Sequence, residues 1–262
     1  MIHFVDVREA ADRISPYVNK TPVVTSSLLN EWLGHEVYFK AECLQKVGAF
    51  KARGGCNAVQ KLIETHGEVK RVVANSSGNH AQAVAWSART FGIDATIYMP
   101  SFASKVKAQA TRAYGAEVVL AETRQEVDRL VAEAAQKPGT FWIPPFNDEA
   151  VMAGQGTAAL EAISQLDTAP DAVFAPCGGG GLLSGTWAAV KYVLSDCQVI
   201  GVEPLNGNDA AQALRSGESH VLDDRPDTLA DGARTLSVGD KTFPHLQQLD
   251  GFYEVDETPI PY

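Results

Sequence analysis

The sequence predicts an α/β protein in which parallel sheets are covered by helices on both faces. Short runs rich in β-branched and aromatic residues alternate along the chain with longer segments that lack proline and have helical periodicity. Parallel strands and their crossover helices follow each other in this order. Two helical segments, 80–92 and 104–115, also end at a glycine, which is a common way to terminate a helix.

The predicted elements follow one another from residue 36 onwards. Strand patterns occupy 36–40, 71–75, 94–100, 116–121, 171–177 and 198–203. Helical patterns occupy 80–92, 104–115, 124–137, 149–166 and 182–194. The last part, 204–262, is the least regular, and the PPF sequence at 144–146 suits a hinge. Because open parallel sheets bind ligands at the carboxyl ends of their strands, a functional site is expected in the loops that follow strands.

The composition excludes several classes of protein. The 262 residues carry a net charge of −10 and no cluster of Lys and Arg, whereas binding to nucleic-acid phosphates needs such a cluster. No apolar run has the length that spans a bilayer. The amino-terminal segment lacks the apolar stretch of a secretory signal, so a cytoplasmic location is expected. The four cysteines lack the spacing of zinc ligands and are expected to be buried, reduced thiols; they are Cys43, Cys56, Cys177 and Cys197.

A run of four glycines gives the strongest signal for a ligand. The sequence PCGGGGLLSG (176–185) follows a predicted strand and opens a predicted helix. Without side chains, the backbone N–H groups of such a run can surround a phosphate, and the helix dipole adds positive charge at the same point. A flexible linker is the alternative, but a linker would not lie between a strand and an apolar helix. The spacing fits neither the Walker motif nor G-x-G-x-x-G, so a nucleoside triphosphate is not the expected ligand.

The loop NSSGNHAQA (75–83) has a composition suited to a carboxylate. It follows the predicted strand at 71–75 and leads into a helix. Its small and capping residues can offer N–H groups and hydroxyls to an anion. An ordinary helix cap would explain one Ser or Asn but not the whole cluster. His80 taken alone is more often a structural residue.

Lys51 stands in a third stretch, KVGAFKARGG (46–55). A lysine amine becomes a nucleophile when desolvation or a nearby cation lowers its pKa, and Lys46 and Arg53 lie close in sequence. A lone lysine in an α/β protein is usually solvated and inactive. Together, however, a lysine, a carboxylate site and a phosphate site are the parts needed to hold pyridoxal phosphate and an amino acid.

Four motifs in this order, GAFKARG, SSGNHAQA, MAGQGTAALE and CGGGGLLSG, resemble the fold-type II pyridoxal-phosphate enzymes. The similarity is greatest to the serine/threonine dehydratase and serine racemase family, in its 3-hydroxyaspartate dehydratase-like branch, and runs from near residue 14 to about 257. It implies two open, twisted, mostly parallel sheets flanked by helices, as in the tryptophan synthase β chain. It also implies a large cofactor-binding domain (1–65 and 150–262) and a small domain (66–149) that carries the SSGNH loop.

The resemblance assigns a role to each motif residue. Lys51 matches the lysine that forms the internal Schiff base, Phe50 the residue packed on the pyridine ring, and Asn79 the partner of the phenolic oxygen. The phosphate cradle matches Gly178, Gly179, Gly180, Gly181 and Leu182. The loop that holds the substrate carboxylate matches Ser76, Ser77, Gly78, Asn79 and His80.

Ser77 is the residue that bears on racemisation. Many threonine dehydratases have alanine at the matching place, whereas in the serine racemase branch a serine there lies on the face of the cofactor opposite the lysine. Two bases on opposite faces are what epimerisation of an α-carbon requires. A plain loop serine is the alternative interpretation.

The sequence VEPLNGNDA (202–210) resembles the divalent-cation site of the same branch. Glu203, the carbonyl of Gly207 and Asp209 match its ligands, and such oxygen donors suit Mg²⁺ or Ca²⁺. Two acids six residues apart in a loop would otherwise be interpreted as solvated side chains.

The resemblance implies an ammonia-lyase that converts serine, threonine or 3-hydroxyaspartate to a 2-oxo acid and ammonia, with serine racemisation as a second capacity. A homodimer is the family expectation. The alternatives are a β-replacement enzyme of the cysteine synthase type and a catalytically impaired cofactor-binding protein. The family pattern continues beyond the position of Tyr262 with a Ser or Thr at the pyridine nitrogen, which these 262 residues do not match; the predicted fold is therefore short at its C-terminus. The sequence also places no cation for a second substrate carboxylate.

Overall fold

The computed structural model describes residues 1–258 and contains two parallel sheets. The first sheet has four strands in the order β5-β4-β3-β6, with Val73 of β3 beside Thr96 of β4. Its strands are β3 (Arg71–Asn75), β4 (Asp94–Pro100), β5 (Glu117–Ala121) and β6 (Thr140–Trp142). The helices that connect them are α4 (Asn79–Phe91), α5 (Lys105–Ala113) and α6 (Arg124–Ala135). The predicted strands and helices of this region are confirmed, and β6 is an addition.

The second sheet has three parallel strands in the order β7-β8-β9. They are β7 (Ala172–Pro176), β8 (Gln198–Pro204) and β9 (Gly251–Val255). The helices of this part are α8 (Gly181–Val193), α9 (Asp209–Ser216) and α10 (Phe243–Leu246). A separate antiparallel pair joins β1 (Val23–Thr25) to β2 (Tyr38–Lys40), with α2 (Ser27–Leu33) between them. The fold is therefore the predicted α/β arrangement of parallel sheets flanked by helices.

Three further helices hold the two sheets together; they are α1 (Phe4–Ile14), α3 (Lys51–His66) and α7 (Glu149–Ile163). Glycines let α7 approach its neighbours closely. A Cβ atom on Gly156 would lie 2.5 Å from the carbonyl oxygen of Gly185 in α8, and one on Gly154 would lie 2.7 Å from the carbonyl oxygen of Arg53 in α3. The two glycines in the predicted helix 149–166 are thus packing positions, and they stack α3, α7 and α8 in a row.

Two hydrophobic cores lie on either side of this row. One packs α4 and the ends of α3 and α7 against the first sheet, around Val84, Ile97 and Met99. The other packs α1, α7 and α8 against the second sheet, around Met152, Leu183 and Val199. Burial of each such side chain stabilises the fold by about 1.5–3 kcal/mol, so each sheet has its own source of stability.

The four cysteines are free thiols, as predicted, but one is not buried. Cys56, Cys177 and Cys197 are buried, whereas Cys43 is exposed within the short helical turn Glu42–Leu44. The expectation of burial is therefore wrong for Cys43, because the sequence around it forms a surface turn. Within residues 1–258, no helix is both long and apolar enough to cross a membrane.

Candidate active site

A cavity of about 630 Å³ lies where the loops after β3, β4, β5 and β7 meet. Its volume is typical of a site for a small ligand. The structure brings every predicted cofactor and substrate residue to this cavity: its lining includes Phe50, Lys51, Ser76, Ser77, Gly78, Asn79, His80, Gly178, Gly179, Gly180, Gly181 and Leu182. The carboxyl ends of parallel strands thus form the site, as the rule for open sheets requires.

Lys51 begins helix α3 and directs its amine to the junction of the two sheets. Nζ donates a hydrogen bond of 2.6 Å to the carbonyl oxygen of Pro145 and lies 5.3 Å from the centre of the Phe50 ring. Burial lowers the pKa of Lys51 to about 8. Of the two causes considered from the sequence, desolvation and a nearby cation, desolvation accounts for this shift, and the Arg53 guanidinium is bound by Glu42 and Glu161.

The loop after β3 presents the start of α4 to the cavity. Helix α4 begins at Asn79 without a side chain that caps its first N–H groups. The Gly78 N–H donates a 3.3 Å hydrogen bond to Oγ of Ser76, which folds the serine back along the loop. Free N–H groups and the positive end of the helix dipole favour an anion at this position.

His80 is buried beneath the same loop and is neutral. Its Nε2 lies 2.8 Å from the carbonyl oxygen of Ile143 and donates to it. Burial is the main cause that lowers its pKa to about 3, and the charge of Lys51 lowers it further. His80 therefore fixes the loop against the strand end and contributes no positive charge to the cavity.

The glycine run after β7 has no space for side chains. A Cβ atom on Gly179 would lie 2.3 Å from the Phe146 ring, and one on Gly181 would lie 2.9 Å from Phe146 Cβ. Gly180 has a φ of 88°, which L-residues with a side chain rarely adopt, and a Cβ there would meet Thr242. Thr242 also donates a 2.8 Å hydrogen bond to the carbonyl oxygen of Gly179. Only backbone can occupy this turn, so its N–H groups are open to an anion such as a phosphate.

Several charged residues at the mouth of the cavity were not predicted as site residues from the sequence. They are Lys107, Arg124, Arg225, Asp231 and Arg234. Lys107 of α5 forms an ion pair with Asp231, which lies in the segment between α9 and α10. No motif unites these residues, because they come from three distant parts of the chain and each resembles an ordinary surface charge.

The predicted cation ligands lie outside this cavity, at the end of β8. Glu203 and Asp209 are 2% and 0% exposed, and Gly207 is buried in the turn between them. Glu203 Oε1 accepts a 2.7 Å hydrogen bond from the Ala211 N–H. Its Oε2 and both carboxylate oxygens of Asp209 have no hydrogen-bond partner among residues 1–258. Burial raises the pKa of Glu203 to about 8 and that of Asp209 to about 7.

These buried carboxylates have the chemistry of a cation site, because unpaired buried acids are costly without a positive partner. In the described part of the chain no group of three or more His, Cys, Asp or Glu residues is arranged to hold a metal. A cation here would therefore depend on the two carboxylates together with carbonyl oxygens and water.

The fold, together with a cavity lined by a lysine, a serine and asparagine loop and a glycine turn, indicates an enzyme that uses pyridoxal phosphate. The family model described as "Pyridoxal-phosphate dependent enzyme" matches residues 14–260, and the chain belongs to this family. The family and fold predicted from the four motifs are thereby confirmed.

Known relatives cover most of the chain. It is 47% identical over 250 residues to the L-threo-3-hydroxyaspartate ammonia-lyase of Saccharomyces cerevisiae, which covers 93% of this chain and 74% of the relative. It is 44% identical over 244 residues to the serine racemase of Schizosaccharomyces pombe, covering 93% and 75%. Among solved structures, the serine racemase of Dictyostelium discoideum matches with a TM-score of 0.90 and 38% identity, covering 98% of this chain and 82% of the other.

We predict that the rate of the reaction between Lys51 and pyridoxal phosphate increases as the pH rises through 8. With a pKa of about 8, the neutral fraction of the amine is about a tenth at pH 7 and about a half at pH 8. Absorbance changes after mixing cofactor-free protein with pyridoxal phosphate should accelerate about fivefold between these two values and level off above about pH 9. Lys51→Ala should abolish the signal. A rate that still rises about tenfold between pH 8 and pH 9 would show that the amine is solvated, with the ordinary lysine pKa of about 10.4.

Proposed function

We propose that the protein is a pyridoxal-phosphate-dependent ammonia-lyase that converts β-hydroxy amino acids to 2-oxo acids and ammonia, with serine racemisation as a second activity. One observation supports this most directly: the Lys51 amine, the serine and asparagine loop and the glycine turn all line one cavity. The amine would bind the cofactor's reactive carbon, the loop would bind the substrate carboxylate, and the glycine turn would bind the cofactor phosphate.

The cofactor would be held by residues of both sheets. The backbone of the turn 178–181 and the Leu182 N–H would hold the phosphate, Asn79 the phenolic oxygen, and Phe50 the face of the ring. Pyridoxal phosphate supplies an electron sink for the α-carbon of an amino acid. The close contact between Gly179 and Phe146 supports this assignment, since it leaves the turn with only N–H groups to offer.

The protein would bind the substrate carboxylate and move the α-proton. Ser76, Ser77 and the first N–H groups of α4 would bind the carboxylate, because the positive end of the helix dipole lies at this point. Lys51 would remove the α-proton, and its lowered pKa supports this role because a useful general base must be neutral near the working pH. Ser77 would serve as the second acid or base on the opposite face.

The activity can be tested with L-serine and the purified protein loaded with cofactor. Wild-type protein should form pyruvate and ammonia, whereas Lys51→Ala should form neither, with its fold checked by circular dichroism. Addition of sulfide distinguishes the ammonia-lyase from the β-replacement enzyme, because the latter would make cysteine as its main product. Cofactor binding without turnover of serine, threonine or 3-hydroxyaspartate would instead indicate a binding protein.

The role of Ser77 is tested in the same assay by Ser77→Ala. The rate of D-serine formation should fall at least about a hundredfold relative to pyruvate formation, which is the lower end of the usual contribution of a general acid or base. Chiral chromatography of the remaining serine gives the ratio. An equal fall in both rates would show that Ser77 acts only in binding.

We propose that Glu203, the Gly207 carbonyl and Asp209 bind a divalent cation, Mg²⁺ or Ca²⁺, with a structural role. The unpaired carboxylate oxygens of Glu203 and Asp209 support this assignment. Saturating Mg²⁺ or Ca²⁺ should raise the wild-type melting temperature by about 5 °C or more. Asp209→Asn should remove this rise, while Asp196→Asn, a change of an exposed acid, should retain it. The same rise in all three proteins would place the cation elsewhere.

We propose that the protein is a cytoplasmic homodimer with a large domain (1–65 and 150–262) and a small domain (66–149). The two hydrophobic cores and the two parallel sheets support the division, and the free thiols support the location. Leu28 and Trp32 are each 75% exposed on α2, and Phe39 of the following strand β2 is also exposed, which supports association through this part of the chain. Light scattering should give twice 28.0 kDa, and Trp32→Glu should give the monomer mass. A monomeric wild type would refute the dimer.

A further inference from the structure

The mouth of the candidate active site carries an excess of positive charge. Four cationic side chains besides Lys51 line the cavity, against the single carboxylate of Asp231; the four are Lys107, Arg124, Arg225 and Arg234. The whole chain has a net charge of −10, so this accumulation does not reflect its average composition. A cationic cleft on an acidic protein raises the local concentration of anionic ligands.

Two of these four cations have partners within the protein. Lys107 forms its ion pair with Asp231, and Nε of Arg234 donates a 2.8 Å hydrogen bond to the carbonyl oxygen of Thr228. Both contacts shape the segment between α9 and α10 that covers the cavity. The contacts within the protein therefore explain why these two cations lie at the mouth of the cavity.

Among the described residues, Arg124 has no such partner and Arg225 has only one long ion pair. Within residues 1–258 the Arg124 side chain makes no hydrogen bond or ion pair, and its guanidinium lies 6.0 Å from the centre of the Phe102 ring. Arg225 approaches only one acid, with 3.7 Å between its Nη2 and Oδ1 of Asp231, which is beyond hydrogen-bond distance. Because Asp231 also pairs with Lys107, one carboxylate serves two cations, and a net positive charge remains at this point.

The two arginines lie near each other and near the substrate loop. Arg124 begins α6 directly after β5, at the same sheet edge as the loop 76–79 that follows β3. Arg225 belongs to the segment that faces this edge. Burial lowers the pKa of Arg225, and the charges of Arg124 and Arg234 lower it further. Like charges this close, without an anion between them, form an incomplete site.

We infer that Arg225, assisted by Arg124, binds the side-chain carboxylate of the substrate, so that the preferred substrate is a dicarboxylic β-hydroxy amino acid of the 3-hydroxyaspartate class. This inference rests on the proposed ammonia-lyase function. A guanidinium donates two parallel hydrogen bonds to a carboxylate, which a serine or threonine side chain cannot accept. Arg225 is thus a specificity-determining residue, and its role is separate from those of Lys51 and Ser77.

The reaction of such a substrate is balanced without any additional oxidant or reductant. The α C–H and β C–O bonds break, and the proton and hydroxide leave as water. The enamine formed becomes an imine, which water hydrolyses to a 2-oxo dicarboxylic acid and ammonia. The side-chain carboxylate is unchanged throughout, so Arg225 can hold it from binding to release.

The inference predicts a change in substrate preference when Arg225 is altered. Ammonia release by the cofactor-loaded protein gives kcat/KM for L-threo-3-hydroxyaspartate and for L-serine. In wild type the ratio of kcat/KM for the dicarboxylate to kcat/KM for serine should exceed one. Arg225→Gln should lower this ratio at least about tenfold, the effect expected when a charge-assisted hydrogen bond is removed. Arg225→Lys should lower it less. Arg129→Gln, a change of an exposed arginine farther along α6, should leave the ratio at the wild-type value.

A binding measurement keeps the inference testable without turnover. Calorimetry with the cofactor-loaded protein compares succinate with butyrate, which has the same carbon chain and one carboxylate fewer. Succinate should bind wild type at least about tenfold more tightly, and Arg225→Gln should remove most of this difference.

Three results would overturn the inference. They are a wild-type ratio that favours serine, a ratio in Arg225→Gln that stays at the wild-type value, and equal affinities of wild type for succinate and butyrate. An unchanged ratio that accompanies equal losses for both substrates would show that Arg225 only holds its segment in place. Absence of turnover with every substrate would refute the proposed function, and the succinate comparison would then decide the inference alone.

Discussion

The ion pairs of the buried Arg53 guanidinium fix the part of the molecule on which the candidate site depends. Arg53 is 1% exposed and lies two residues after Lys51, in the first turn of α3. It donates to Glu42 at 2.7 Å and to Glu161 of α7 at 3.1 Å. A buried charge that loses its partners destabilises a protein by about 3–5 kcal/mol, so the start of α3 cannot move away from α7. This restraint keeps the Lys51 amine against Pro145.

Close helix packing also fixes the position of the glycine turn, residues 178–181. Gly154 and Gly156 bring α7 against α3 and α8, and Gly185 gives α8 the matching surface. A methyl group at these contacts would meet backbone atoms, which cannot move aside as a flexible side chain can. Because α8 begins directly at the glycine turn, the stacking of three helices sets the position of the turn relative to Lys51. The Lys51 amine and the glycine turn therefore come from one rigid row of helices.

Features formed by one continuous stretch of sequence were predicted, whereas features formed by residues from distant parts of the chain were missed. The strands at 71–75 and 94–100 and the motifs around Lys51, Ser77 and Gly179 were found because each is a continuous run of unusual composition. The three-residue strand β6 and the late strand β9 were missed, since short pairings inside irregular sequence show little periodicity. The arginines of the cavity mouth were missed for a different reason. Their meeting depends on tertiary structure. Closeness in sequence does not show which groups interact, because Arg53 lies two residues from Lys51 and yet binds Glu42 and Glu161.

The cavity combines a weakly charged interior with a strongly charged entrance, and burial accounts for the difference. A buried ammonium loses its hydration, which brings the pKa of Lys51 to about 8, and burial keeps His80 neutral. Guanidinium groups stay protonated in proteins, so the arginines at the more exposed mouth remain cationic, including Arg225, whose pKa is lowered by burial. In the proposed function, fixed charges at the entrance would attract an anionic substrate, and the proton would be transferred deeper in, by an amine whose charge is easily lost. Attraction and catalysis would then be separated because the two tasks lie at different depths of one cavity.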